Sequence, residues 1–269
     1  MTTKTASELT LSDAMDPARA TALSVTLGLG KAYQADDHLP PFFHQIYFWE
    51  AYSADLLGHD GHPKVGVAGI IPDLGLPNRM WAGGRLQFKH PLRAGVPAQK
   101  RSVVENAEIK QGRRGQLGFV TLRHDIMQDE VLCVREFQDL VYLNAPDPSA
   151  PKPPPALAPE DEDTCCEATF TSTDLFRYSA LTFNGHKIHY DLEHTRNVEG
   201  HDHLVVHGPL LAQRLMLIAT AELGSLKEFQ FRAKSPVLCG EKIGFCRKGS
   251  QLWVRGADGR LCMEATATP

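Results

Sequence analysis

One segment of this chain is apolar on almost every side, and that feature constrains the fold more than any other. Residues 208–223 read GPLLAQRLMLIATAEL, with Pro209 in the first turn and Gly224 directly after the end, which predicts a helix with a sharp stop. Its polar exceptions are Gln213, Arg214, Thr220 and Glu222. A helix that is apolar on most faces has to be covered on most faces by other elements.

A proline-rich, acidic stretch divides the chain into two parts. Residues 144–163 read NAPDPSAPKPPPALAPEDED, a composition that holds neither a helix nor a central strand. We therefore predict an N-terminal domain over residues 1–145, a linker over residues 146–164 and a C-terminal domain over residues 165–269.

The two halves echo each other in sequence. Residues 86–95, LQFKHPLRAG, resemble residues 229–240, FQFRAKSPVLCG, because each reads as an apolar, polar, apolar strand followed by a proline and a glycine. Alternating segments broken by turn residues follow each echo, which predicts an antiparallel meander in each half. The predicted turns are GRRG (residues 112–115), MQDE (127–130), RKGS (247–250) and GADGR (256–260).

A curled antiparallel sheet of about five strands wrapped around one helix is the hotdog architecture. Residues 208–223 supply the helix of the second half, and residues 40–56, PPFFHQIYFWEAYSADL, are the helix candidate of the first. We predict an α+β double hotdog, with two antiparallel sheets that are each wrapped around a central helix.

Composition narrows the classes of partner. The net charge of −4 and the pI near 6.3 leave no basic surface for nucleic acid or an anionic membrane, and no segment has about 18 uninterrupted apolar residues. We expect a cytoplasmic protein that binds small molecules. The six cysteines form no CxxC pair, so we expect reduced thiols, and the spacing of His201 and His203 fits an exposed loop, so we expect no metal.

Two neighbouring segments carry the chemistry. Residues 176–191, FRYSALTFNGHKIHYD, place Asn184 and His189 five residues apart on a loop, and residues 205–219 then open the apolar helix with Gly208. The backbone N–H of a helix-opening glycine has no partner within the helix. An amide, an imidazole and a free N–H at the start of a buried helix predict a site that handles a thioester.

These residues resemble a known family. The C-terminal half is similar to MaoC-like R-specific enoyl-CoA hydratases and hydroxyacyl-thioester dehydratases, whose Asp-x4-His loop motif faces a buried helix beginning with His-Gly. Asn184, His189, His207 and Gly208 occupy that pattern here. In the N-terminal half, GHDGHPKVG and LPNRMWAGGRLQF, residues 58–66 and 76–88, resemble the partner domain of two-hotdog hydratases for mesaconyl-C4-CoA or itaconyl-CoA and of type 2 mitochondrial dehydratases.

The resemblance implies a hydro-lyase without a cofactor, because the CoA thioester is the substrate. His189 is then the general base and the Gly208 N–H stabilises the enolate oxygen. Asn184 replaces the aspartate that is usual in this family. An amide does not exchange protons at neutral pH, so Asn184 would hold the water or His189 in place. If another acid is needed, Asp191 is the nearest candidate in sequence. His207 either caps the helix or packs against the loop, or it contacts substrate directly.

Several cations are candidates for binding the CoA phosphates or a substrate carboxylate. They are Arg177, His186, Lys187, Arg214 and Arg232. The first half has no Asn/Asp-x4-His motif ahead of its helix candidate, so we expect one active site per chain, with pocket walls from the N-terminal hotdog and association into homodimers or higher homo-oligomers.

The favoured reaction is hydration of a short branched enoyl-CoA, itaconyl-CoA or mesaconyl-C4-CoA, to citramalyl-CoA. One alternative is a 3-hydroxyacyl-thioester dehydratase of fatty-acid synthesis, which predicts an apolar tunnel without cations. The other is a hotdog protein that binds acyl-CoA without turning it over, and such a protein does not need His189.

Overall fold

A computed structural model describes residues 8–64, 69–112, 115–144 and 154–269 of the chain. The strands are β1 (Leu9–Asp13), β2 (Asn78–Phe88), β3 (Ala98–Gly112), β4 (Gly115–Gln128), β5 (Val131–Leu143), β6 (Thr164–Thr169), β7 (Glu228–Ala233), β8 (Lys242–Lys248), β9 (Gln251–Arg255) and β10 (Leu261–Thr268). The α-helices are α1 (Pro17–Thr26), α2 (Ser172–Thr182), α3 (Leu192–Asn197) and α4 (Gly208–Leu223). Short 3-10 helices span Phe43–Ile46, Ala54–Leu56 and Lys187–His189.

The strands form one antiparallel sheet of ten, in the order β1-β3-β4-β5-β2-β7-β10-β9-β8-β6. Each half contributes five strands in the same relative order, and the two echo strands, β2 and β7, pair at the centre with Leu86 opposite Phe229. The prediction of two separate sheets is therefore wrong. Pairing β2 with β7 satisfies the backbone of two strands that would otherwise be exposed edges.

The hairpin predictions are confirmed. Strands β4, β5, β8, β9 and β10 begin or end at the MQDE, RKGS and GADGR turns. At GRRG, Gly112 pairs with Gly115, while residues 113–114 lie outside the described part. Asp129 and Glu130 have left-handed φ angles of 49° and 62°, which are the angles that a tight two-residue hairpin needs.

Helix α4 spans the predicted residues and is the central helix of the C-terminal half. It packs against β7, β9 and β10, and its apolar side chains from Leu210 to Ala219 belong to the main core. Gly224 ends the helix with a φ of 87°. Within the described ranges, no helix is long and apolar enough to cross a membrane.

The predicted helix over residues 40–56 does not form, and only the 3-10 segments Phe43–Ile46 and Ala54–Leu56 appear there. Phe42 and Phe48 adopt left-handed φ angles of 70° and 59°, which interrupt a right-handed helix. Phe42, Phe43, Tyr47 and Phe48 have low helix propensity and are each buried, so tertiary packing decides the conformation.

The predicted linker lies between the end of β5 at Leu143 and the start of β6 at Thr164, and residues 145–153 fall outside the described part. In the remainder, Glu162 forms an ion pair with Arg255, which ties the acidic segment to the C-terminal half.

Cys165 and Cys246 face each other across β6 and β8, with their Cα atoms 4.1 Å apart, and form a disulfide. The prediction of six reduced cysteines is wrong for this pair, because strand pairing brings together two residues that are far apart in sequence. The free cysteines are Cys133, Cys166, Cys239 and Cys262.

Candidate active site

A cavity of about 1250 Å³ lies between the two halves of the sheet and is lined by residues from both. Asn184, His189 and Gly208, the three predicted catalytic groups, all line it. His186 lines it as well. The fold therefore brings the central elements of the sequence motif to one cavity.

Helix α2 positions Asn184. The helix begins with a capping box between Thr171 and Asp174 and ends at Phe183, whose φ of 52° turns the chain into the loop. The Asn184 backbone N–H donates to the Ser179 carbonyl at 2.9 Å. Its side-chain oxygen accepts from the His186 N–H at 3.0 Å. The carboxamide NH₂ has no partner among the described residues, so it is available to donate to a bound water.

His189 is buried, with one ring nitrogen held by the backbone. Its Nδ1 lies 2.7 Å from the Val205 carbonyl oxygen, which only accepts, so Nδ1 carries the proton and Nε2 keeps its lone pair. Burial lowers the pKa of His189 to about 4, and the hydrogen bond to Val205 opposes that shift in part. The imidazole is therefore neutral at pH 7 and able to accept a proton at Nε2.

The second imidazole of the site, His207, stacks on His189 with ring centroids 3.5 Å apart. It occupies the N-cap position of α4, but its side chain makes no capping bond. Its Nε2 lies 2.8 Å from the Ser179 hydroxyl, and Tyr178 meets its ring edge-on. Burial holds the pKa of His207 well below its usual range. Of the predicted roles, the geometry favours packing, which fixes the His189 ring plane.

Gly208 is the first residue of α4, and its N–H finds no acceptor in the described part of the chain. A Cβ added at this glycine would meet no atom within 4 Å, so the backbone here faces open space. The N-terminus of a 16-residue helix carries a partial positive charge. The position suits a carbonyl oxygen that becomes negative during a reaction.

A loop of the N-terminal half clasps the loop that carries His189. The Lys187 N–H donates to the Asp60 carbonyl at 2.8 Å, and the rings of His62 and His186 are 4.2 Å apart. Gly61 packs so closely on Gly185 that a Cβ there would overlap the Gly185 carbonyl oxygen. Sequence reasoning noticed this loop only as part of a family resemblance, although its Gly-His-Asp-Gly-His pattern already places titratable groups between flexible residues.

The clasp also assembles potential metal ligands. Ligating atoms of Asp60, His62 and His186 lie within 4.8 Å of one another, and Asp60 already contacts His62 Nδ1 at 3.3 Å. The expectation of a metal-free site stays a prediction.

Most of the predicted cations lie away from the cavity. Arg177 and Arg232 are exposed, and Arg214 donates to the Leu27 carbonyl at 2.6 Å, so it ties α4 to the segment after α1. Lys187 is half-buried but does not line the cavity either. Asp191 accepts from the His194 N–H and caps α3. The substrate-binding roles of the four cations stay predictions.

The N-terminal half adds polar groups that sequence reasoning missed. His44 Nε2 lies 3.0 Å from a buried carboxylate oxygen of Glu136, and the Ser102 hydroxyl lies 2.7 Å from His124 Nδ1. Burial raises the pKa of Glu136, but the hydrogen bond and charge of His44 outweigh this and bring it below its usual value. These residues are dispersed over β3, β4, β5 and a 3-10 helix, so no local motif marks them.

Three cations of the N-terminal half also line the cavity: Lys64, Arg79 on β2 and Lys100 on β3. None of the three forms an ion pair within 4.0 Å in the described ranges. Arg79 and Lys100 give no sequence signal, because alternating charged residues in a strand usually face solvent.

Comparison with known proteins assigns the chain to a family. Residues 42–239 match the family model of hydroxyacyl-thioester dehydratase type 2. The chain is 40% identical to the mesaconyl-C(4)-CoA hydratase of Chloroflexus aurantiacus over 86% of its own length and 84% of that protein's. It is 24% identical to the mitochondrial hydroxyacyl-thioester dehydratase type 2 of Schizosaccharomyces pombe, over 80% of each chain.

Solved structures share the architecture. A Mycobacterium tuberculosis protein described as having a double hotdog fold matches with a TM-score of 0.61 at 13% identity, over 97% of this chain and 95% of that one. At that identity the likeness concerns the fold alone, and it supports the predicted double hotdog.

Proposed function

This chain belongs to the hydroxyacyl-thioester dehydratase type 2 family and is a hydro-lyase, and from that premise we propose that it hydrates a short branched enoyl-CoA. The favoured reactions convert mesaconyl-C4-CoA or itaconyl-CoA to citramalyl-CoA. The 40% identity to a mesaconyl-C(4)-CoA hydratase over most of both chains supports the first of these substrates.

The observation that carries the mechanism is the joint exposure of the His189 ring and the Gly208 backbone to one cavity. The Asn184 carboxamide donates a hydrogen bond to a water, and His189 Nε2 removes a proton from that water as its oxygen bonds to the β-carbon. In mesaconyl-C4-CoA, whose double bond is conjugated with the thioester, the displaced electron pair moves onto the thioester oxygen, where the Gly208 N–H and the helix dipole stabilise it. The proton held by His189 then passes to the α-carbon, and the thioester carbonyl re-forms. Itaconyl-CoA would first need a proton shift that brings its double bond into this conjugation.

The family match keeps a second candidate open, a 3-hydroxyacyl-thioester dehydratase of fatty-acid synthesis. That enzyme would pass a long apolar chain through the cavity. The wall from the N-terminal half carries polar side chains such as Arg79, His62 and Gln138 among its apolar ones, and these polar groups favour a short and polar acyl group.

A panel of enoyl-CoA thioesters tests the assignment. We expect mesaconyl-C4-CoA or itaconyl-CoA to be hydrated with a kcat/KM at least tenfold above that of any straight-chain C4 to C10 enoyl-CoA. Higher turnover of the longer chains would favour the dehydratase of fatty-acid synthesis.

Replacing the base separates an enzyme from a binding protein. His189→Ala should lower kcat by at least about 10²-fold, because removal of a general base typically costs 10²-fold to 10⁴-fold. Binding of a saturated acyl-CoA should persist in this variant. Retention of more than about a tenth of the wild-type turnover would contradict the general-base role.

We further propose that the enzyme acts in the cytoplasm without metal or cofactor, as a homodimer or higher homo-oligomer. Metal analysis of the active protein tests the absence of metal, its mass in solution tests the oligomer, and fractionation of cells that contain it tests the location.

A further inference from the structure

Of the three cavity-lining cations of the N-terminal half, Lys64 already donates to the Asp55 carbonyl at 2.8 Å, and the other two, Arg79 and Lys100, have different electrostatic surroundings. Lys100 faces acids: burial lowers its pKa, while the charges of Glu50 and Glu136 raise it. His124, the other titratable neighbour of Lys100, is buried and its pKa is lowered. A carboxylate that approached Lys100 would therefore also approach two negative charges.

The groups around Arg79 are a phenol and two imidazoles. Arg79 lies on β2 directly opposite Tyr142 of β5, and burial raises the pKa of that phenol while a hydrogen bond with Arg79 opposes the shift. His62 and His186 line the same cavity as Arg79 and interact with it electrostatically. Asp60, the acid of the same loop, is already hydrogen-bonded by His62. No carboxylate of the described residues lies within 4.0 Å of the Arg79 guanidinium.

Arg79 is also on the side of the cavity where the reaction is expected. Its neighbour His186 has its ring 5.5 Å from that of His189. The Asp60 to His62 loop, which holds His62 near Arg79, is fastened to the His189 loop through the Lys187 N–H. In mesaconyl-C4-CoA the free carboxylate is attached to the β-carbon itself, the atom to which water adds. A group that binds this carboxylate therefore has to lie beside the base.

We propose that Arg79 binds the free carboxylate of the acyl group and so selects dicarboxylate-derived thioesters. This inference rests on the proposed hydration of a branched, carboxylate-bearing enoyl-CoA. A planar guanidinium presents paired N–H donors that match the two oxygens of a carboxylate, and a partly buried site strengthens the contact. The Arg79 contact would also orient the β-carbon toward the water activated by His189.

Binding of two unreactive analogues tests this role apart from turnover. Methylsuccinyl-C4-CoA and isovaleryl-CoA are both saturated, and they differ only in a carboxylate that replaces a methyl group on the β-carbon. We expect the wild-type protein to bind methylsuccinyl-C4-CoA about 10-fold to 100-fold more tightly, the range for hydrogen bonds to a charged group. Titration calorimetry of wild type, Arg79→Met and Lys100→Met gives the comparison.

Arg79→Met should abolish this preference while its affinity for isovaleryl-CoA stays within threefold of wild type, which also shows that the variant is folded. Arg79→Lys should keep part of the preference, and Lys100→Met should keep all of it. An equal loss for both analogues in Arg79→Met would assign Arg79 to the CoA moiety and overturn the proposal. A preference that survives Arg79→Met, or that disappears in Lys100→Met, would overturn it too.

The failure of this inference is distinguishable from failure of the proposed function. If the wild type hydrates no branched enoyl-CoA, the proposed function fails whatever the calorimetry shows. If it hydrates mesaconyl-C4-CoA and Arg79→Met retains the binding preference, only the assignment of Arg79 fails.

Discussion

The two halves of the molecule have the same strand order but use the inside of the sheet differently. In the C-terminal half, strands β7, β9 and β10 pack on the long helix α4, which fills the concave face. In the N-terminal half, β3, β4 and β5 are 13 to 15 residues long, yet the segment in the equivalent place forms only short 3-10 helices. Residues of these three strands line the cavity instead.

The difference indicates that the two halves contribute different parts of the candidate site. The half with the helix contains His189, the proposed base, and the helix-opening Gly208, while the half without it provides space and polar side chains in the cavity wall. The N–H groups and positive dipole end of a helix N-terminus can stabilise an oxyanion. Because the N-terminal half has no central helix in the described residues, it lacks such a site. The polar residues of the N-terminal half that line the cavity could either contact substrate or stabilise the fold. Substitutions at these residues distinguish the two roles.

The largest effect on stability should come from the buried hydrogen bond between His44 and Glu136 in the N-terminal half. His44→Ala leaves the Glu136 carboxylate buried without its imidazole partner, and removing one member of a buried pair typically costs about 3 to 5 kcal/mol. Urea unfolding monitored by circular dichroism measures the loss. Adding Glu136→Gln to His44→Ala should recover most of it, because position 136 then no longer buries a carboxylate.

The His44→Ala variant also tests whether the catalytic groups lie in the C-terminal half alone. Assayed at a temperature where it is folded, His44→Ala should keep kcat within about threefold of wild type. A loss of 10²-fold or more, comparable to the loss that removal of a general base causes, would mean that the N-terminal half also holds a catalytic group.

A smaller effect is expected where the halves touch. Gly61→Ala introduces a Cβ that overlaps the Gly185 carbonyl oxygen, next to Asn184, and should lower kcat/KM by about 10-fold, because small displacements of positioning groups are costly. Gly240 is the matched control, since its φ of 85° is close to the 88° of Gly61 but nothing lies within 4 Å of an added Cβ.

Both substitutions strain the backbone by about 1 to 2 kcal/mol, so thermal unfolding should shift in both. Only Gly61→Ala should lose activity. Equal activities in the two variants would show that the clasp does not position the His189 loop.

The smallest effect concerns pH. Because burial lowers the pKa of His189 to about 4, about nine-tenths of the base remains neutral at pH 5, against about one-thirtieth for a histidine with the ordinary pKa of about 6.5. The kcat/KM measured at pH 5 should therefore stay near its value at pH 7. A fall of more than tenfold that follows a single ionisation near pH 6.5 would contradict this environment.

Stability should change with pH in the corresponding direction. Between pH 6.5 and about 4 the unfolded chain binds a proton at His189 that the folded chain does not, so the free energy of unfolding falls as pH falls through this window. The slope is at most about 1.4 kcal/mol per pH unit for one group. His189→Gln should show a shallower slope between pH 6.5 and 5 than the wild type.

Local patterns in the sequence were sufficient to predict the elements whose conformation depends on near neighbours. The apolar run with Pro209 and Gly224 predicted α4, and the turn residues predicted the hairpins, because capping, proline geometry and left-handed turns act over a few residues. The Asn184 and His189 motif beside Gly208 likewise predicted which groups reach one cavity.

Tertiary packing decided the rest. Phe42 and Phe48 turn into left-handed conformations because burying each aromatic ring outweighs a weak helix propensity, and no local pattern reports that balance. The pairing of β2 with β7, the Cys165–Cys246 bond and the presence of Arg79, His62 and His186 in one cavity all depend on segments that meet only in the folded chain. Short-range sequence patterns predict elements, whereas long-range pairing determines which side chains share a site.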